Sequence, residues 1–125
     1  MKLPSSRGRN FRIPTSSWSS IEEYYSSLVQ DVGWGGEMVD LVRHIRSCEY
    51  SERLFAFTSM HELIIGPYPE LERRVETLHV LYDGKKKGYQ VRYFATPTRE
   101  PEVERFYRRE IGLNRFDDFV GYLKW

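Results

Sequence analysis

The chain has 125 residues, 40% of them apolar and 15% aromatic, with 19 Lys and Arg against 18 Asp and Glu and a single cysteine, Cys48. That length and apolar content suit one globular core. No run approaches the roughly 18 uninterrupted apolar residues of a membrane helix, and the first residues lack the apolar stretch of a signal peptide. One cysteine allows neither an internal disulfide nor a cysteine-based zinc site, so the expectation is a cytoplasmic chain stabilised by packing.

Charge divides the chain unevenly. Residues 1–17 hold Lys2, Arg7, Arg9 and Arg12 and no acid, leaving 15 basic against 18 acidic residues in the remainder. The segment 1–17 reads as a basic, loosely ordered arm, although Phe11 and Ile13 are suited to docking. Residues 18–125 read as a single α+β domain.

Ser19 followed by Glu22 has the spacing of a capping box and predicts a helix start. Ile21, Tyr24, Tyr25, Leu28, Val29 and Val32 form one helical stripe, and Gly33 ends it. A second stripe, Met38, Leu41, Val42 and Ile45, follows Gly33-Trp34-Gly35-Gly36, with Glu37 early and Arg43 and Arg46 late as the helix dipole prefers. A short helical hairpin is expected. The glycines before the second helix lack the strand, lysine and hydroxyl of a phosphate loop, and they read as a turn that presents Trp34.

Beyond Arg53 the period changes to two. Leu54–Thr58 and Leu63–Ile65 predict one hairpin, ended by Pro67-Tyr68-Pro69, and Arg73–Asp83 with Tyr89–Tyr93 predict a second. Its turn, Asp83 to Gly88, carries Lys85, Lys86 and Lys87, and its glycines are expected to supply positive φ. Pairing Tyr82 with Tyr89 puts Val80 opposite Val91 and Leu78 opposite Tyr93, all on one face. The other face then shows Thr77, His79, Leu81, Gln90, Arg92 and Phe94. Pro97 and Pro101 punctuate the exit. Val103, Phe106 and Tyr107 read as a short helix ended by Gly112, with Glu104 and Arg108 as an i, i+4 pair. Asn114 is then expected to cap a last helix bearing Phe116, Phe119, Val120 and Leu123. The fold class is α+β, an antiparallel sheet of about four strands with an N-terminal helical hairpin and two C-terminal helices.

Asp40, His44 and Cys48 stand at i, i+4 and i+8. Steps of four drift around a helix, so the three do not share one side, and the reading is a surface histidine beside a buried structural thiol. His61 and His79 are isolated, without the close ligand pairs of zinc sites. The expectation is therefore no catalytic residue, no metal and no cofactor.

Nineteen aromatic residues exceed what the helical stripes and one sheet face require, and tyrosine is favoured at interfaces. The function expected is non-catalytic protein recognition or self-association, with Trp34, Tyr68, His79, Arg92 and Phe94 as contact residues. Small bacterial accessory or toxin-neutralising proteins offer an analogy of size alone. The alternatives are a ligand or enzyme site assembled on the sheet around His79 and Arg92, with His61 or Glu62, and a weak nucleic-acid binder using Lys85–Lys87 and the arm. The acidic body opposes the latter.

Overall fold

The register that pairs Tyr82 with Tyr89 is the one adopted. In the computed structural model, which describes residues 13–71, 76–95 and 100–125, Val80 lies opposite Val91 and Leu78 opposite Tyr93. The strands are β1 (Ile13–Pro14), β2 (Phe55–Ser59), β3 (Glu62–Gly66), β4 (Glu70–Leu71), β5 (Thr77–Asp83), β6 (Gly88–Phe94) and β7 (Val103–Arg108). Five of them form one antiparallel sheet in the order β2-β3-β5-β6-β7, one strand more than expected, while β1 and β4 pair in a separate ribbon. In the turn after β5 the positive φ falls on Lys87 (58°) and not on either glycine. The Asp83 carboxylate accepts the backbone N–H groups of Lys85 and Lys86 at 2.9 and 3.1 Å, which closes that turn.

Helix α1 (Trp18–Val32) begins before the expected capping box, with Ser17 as its cap accepting the Ser20 N–H at 3.1 Å. Glu22 has a different task. It accepts from Arg43 at 2.9 Å and Arg46 at 2.7 Å, tying α1 to α2 (Gly36–Ser47). Gly33, at φ 71°, ends α1 as expected. The α2 stripe Met38, Leu41, Val42 and Ile45 is buried, but in α1 the interior takes Ile21 and Tyr25 and leaves Val29 and Val32 40% and 68% exposed.

The largest correction concerns the C-terminal third. Val103, Phe106 and Tyr107 belong to β7, and a single helix, α3 (Arg109–Leu123), follows directly. Three apolar residues satisfy helical spacing, but as a strand the segment pairs along β6 from Gly88↔Arg108 to Tyr93↔Val103 and satisfies backbone groups a helix would leave open. Glu104 therefore has no helical partner in Arg108, and its carboxylate accepts from the Gln90 amide at 2.9 Å instead. Charged residues suit β7, an edge strand that must not recruit another chain.

Gly112 and Asn114 likewise neither end nor cap a helix; both lie within α3. Gly112 is there for space, since a Cβ would overlap the Tyr89 ring. Helices α1, α2 and α3 contribute to one core with Ala56, Leu63, Ile65, Leu78, Val80, Tyr82, Tyr89 and Val91 of the sheet. Each buried aliphatic side chain there contributes about 1.5–3 kcal/mol.

Residues 13–17 are joined to the body: Ser16 N–H donates to the Ala56 carbonyl and Thr15 Oγ1 to that of Pro69, both at 2.8 Å. Lys2, Arg7, Arg9, Phe11 and Arg12 lie outside the described residues, as do Arg73 and Pro97. Among the described residues no helix is long and apolar enough to cross a membrane.

Two substitutions in α3 separate space from helix propensity. Gly112→Ala is expected to lose about 1–3 kcal/mol of unfolding free energy by overpacking against Tyr89. Gly121→Ala, with nothing within 4 Å of the added methyl, is expected to gain about 0.5–1 kcal/mol. Urea titration of the two variants beside the parent checks both.

Candidate functional site

Because successive side chains of a strand alternate, burying Leu78, Val80, Tyr82, Tyr89 and Val91 commits Thr77, His79, Leu81, Gln90, Arg92 and Phe94 to the opposite face. Cross-strand pairing brings His79 against Arg92 and Thr77 against Phe94. Glu62, at the start of β3, reaches both basic groups: its carboxylate lies 2.5 Å from the Arg92 guanidinium and 3.5 Å from His79 Nδ1. His79 Nε2 contacts Thr77 Oγ1 at 3.2 Å. The His79 ring stands 4.6 Å from that of Phe94, and the Arg92 guanidinium lies 5.8 Å over the same ring. These polar groups are partly withdrawn from water, with side-chain exposures of 18% for Glu62, 21% for His79 and 36% for Arg92. Burial alone disfavours the Glu62 carboxylate, but hydrogen bonds from His79 and Arg92 together outweigh it and hold its pKa below the ordinary 4.5.

At one end of this face the loop between α1 and α2 presents Trp34. Its ring lies 5.5 Å from that of His61 and 6.3 Å from that of Tyr25. His61 is fixed in turn by Tyr24, whose hydroxyl is 2.7 Å from Nδ1, and by the Tyr25 hydroxyl, which donates to the His61 carbonyl at 2.9 Å. These contacts hold the two-residue turn Met60-His61 at φ 52° and 71°, a conformation side chains other than glycine adopt at a cost of about 1–2 kcal/mol per residue. Met60 projects from it, 92% exposed. An open trough of about 660 Å³ runs from Trp34 past Leu81, Asp83 and Lys85 to Arg92 and Glu104.

Of the residues expected to make contacts, Trp34 and Arg92 therefore share one trough, and His79 and Phe94 adjoin Arg92. Tyr68, 46% exposed in the loop after β3, is not among the described residues lining it. His61 is not part of the His79–Arg92 group and belongs with Tyr24 and Trp34, while Glu62, its neighbour, points the other way.

A second cluster lies between α2 and α3. His44 is not a surface residue: it is half-buried, with Nε2 2.9 Å from both carboxylate oxygens of Asp117. Cys48, just past the end of α2, places Sγ 3.8 Å from the same Nε2 and 3.9 Å from Asp117 Oδ1. The Tyr50 hydroxyl donates to Asp117 Oδ1, and burial together with that bond keeps the phenol protonated far above its ordinary range. Asp40, first of the i, i+4, i+8 series, is exposed on α2 and takes no part. Asp117 was the residue missed. It stands 73 positions from His44, and its only local sign is an acid beside the α3 apolar stripe.

Comparison with protein-family models, curated proteins and solved structures returns no significant match.

Glu62 gives the face a pH signature. Because its folded pKa is depressed, its contribution to stability is present above pH 4.5 and is lost as the pH falls through the lower folded value. Glu62→Gln is expected to unfold more easily than the parent at neutral pH, with the difference shrinking in acid. Denaturation midpoints measured across that range check it, and a gap independent of pH would contradict it.

Proposed function

We propose that the chain is a non-catalytic recognition protein that docks a protein partner on the face of its sheet that carries no helix among the described residues. The observation that carries this reading is the shared trough: Trp34 and Arg92, far apart in sequence, line one open depression, and His79 and Phe94 extend the same face. Interface centres are enriched in tryptophan, arginine and other aromatic residues. Glu62 already holds Arg92 and His79, so little side-chain freedom is lost on binding, which favours affinity.

The trough also suggests what the partner looks like. Its charged lining is balanced, Asp83 and Glu104 against Lys85 and Arg92. A phosphate backbone would meet two carboxylates there, whereas a protein segment with one apolar anchor flanked by mixed charges meets complementary groups. The trough opens broadly to solvent, which suits a protein segment better than an enclosed small substrate. The single cysteine supports a reducing cytoplasmic setting for this role.

A second reading rests on Glu62, His79 and Arg92 meeting in one hydrogen-bonded group, an arrangement that would orient a small polar ligand. Affinity capture from the native source with the full chain as bait separates the two. The expected result is one stoichiometric protein partner whose Kd rises by roughly tenfold or more with Trp34→Ala, Arg92→Ala or Phe94→Ala. Tyr122→Ala, at a 67% exposed aromatic on α3, should leave it unchanged. A partner bound equally by all the variants, or no partner at all, would overturn the recognition reading.

A further inference from the structure

The group formed by His44, Cys48 and Asp117 has the composition and spacing of a metal site, and we propose that it binds one divalent transition-metal cation of the zinc class. One thiol suffices when an imidazole and a carboxylate supply the other donors. The three donor atoms lie within 4.8 Å of one another and come from α2, the residue that follows it and α3, with Tyr50 supporting the carboxylate.

Distances carry the case. Tetrahedral zinc holds nitrogen, oxygen and sulfur at about 2.0–2.3 Å, which puts the donors about 3.3 Å apart for N···O and about 3.5 Å apart where sulfur is involved. The separations here are 2.9 Å between His44 Nε2 and Asp117, 3.8 Å between Cys48 Sγ and Nε2, and 3.9 Å between Sγ and Asp117 Oδ1. Each differs from the tetrahedral value by about 0.4 Å or less, within reach of small side-chain rotations. Partial exposure of all three residues leaves the fourth position to water.

The same geometry argues against a nucleophilic thiol. A Cys–His–Asp catalytic group places the sulfur at one ring nitrogen and the carboxylate at the other, so that the imidazole relays between them. Here both approach Nε2. Three groups aimed at one point are suited to sharing a cation.

Electrostatics agree. On binding, Cys48 gives its proton to solvent and coordinates as thiolate, while His44 gives up the Nε2 proton it donates to Asp117 and coordinates through Nε2 as the tautomer protonated on Nδ1. Thiolate and carboxylate then match the two positive charges. The site lies at the C-terminal end of α2, where the helix dipole favours a cation. Arg43 and Arg46 of the same helix are drawn onto Glu22 and do not compete for the site. Tyr50, donating to Asp117, orients the carboxylate as outer partners of metal ligands do.

The test uses tag-free, metal-free full chain titrated with Co²⁺ and Zn²⁺. One equivalent of Co²⁺ is expected to produce tetrahedral ligand-field bands and a thiolate-to-metal charge-transfer band. His44→Gln and Cys48→Ser should abolish tight binding, Tyr50→Phe should weaken it about tenfold, and Asp40→Asn should change nothing. Since Cys48 is the only thiol in the sequence, alkylation of the unmutated protein gives a readout that no misfolded variant can confuse, and saturating Zn²⁺ should slow it at least tenfold. An octahedral spectrum without the thiolate band, an alkylation rate indifferent to Zn²⁺, or binding retained by folded Cys48→Ser would each overturn the proposal.

Discussion

Tyr89 is the contact through which the layers of this protein are joined. It sits on β6, 3% exposed, with its ring edge-on to Tyr82 across the hairpin. The ring also fills the space left by Gly112 in α3, and the hydroxyl donates to the Glu37 carbonyl in the first turn of α2 at 2.9 Å. One side chain thus sets the height of two helices above the sheet. The cost of burying a phenol is met because its polar end finds a backbone acceptor while its apolar body packs.

The described helices all pack into the core on that side, and among the described residues none covers the opposite face of the sheet. Side chains on that face cover one another instead. His79 and Arg92 lean on Phe94, and Glu62 contacts both, so the polar groups remain part-buried without being left unpaired. Trp34 is held against this end of the sheet by Tyr25 and His61, and hydrogen bonds from Tyr24 and Tyr25 keep the Met60-His61 turn in its positive-φ form. Core packing on one face and pre-ordered chemistry on the other are therefore two results of the same alternation along β5 and β6.

The cluster around Asp117 arises differently, from helix ends. Cys48 lies at the end of α2 and Tyr50 in the 3₁₀ turn Glu49–Glu52 just after it, and α3 passes close enough for Phe116 to meet the Tyr50 ring at 6.4 Å, which brings the neighbouring Asp117 to His44. That approach depends on α3 following β7 without a break. Had Val103–Arg108 formed a helix, the last helix would leave the sheet at another point and Asp117 would have no reason to arrive there.

The second helix, both hairpins and the facing of His79, Arg92 and Phe94 were legible in the sequence, because periods of 3.6 and 2 are local and each was repeated often enough to fix a face. The His44–Cys48 step of four was visible too, but it was read as a surface histidine beside a structural thiol, and only Asp117 makes it a cluster. Where the pattern was short it misled: Val103, Phe106 and Tyr107 fit a helix, and only the open edge of β6 decided for a strand. The start of α1 slipped for a similar reason, since Ser17 and Ser19 are both competent caps and the helix uses the earlier one. Tertiary structure alone joined Trp34 to Arg92, Glu62 to His79 and Asp117 to His44. A donor or a ring has no periodicity with a partner dozens of residues away, and such meetings are set by how the sheet and the helices α1, α2 and α3 close over one core.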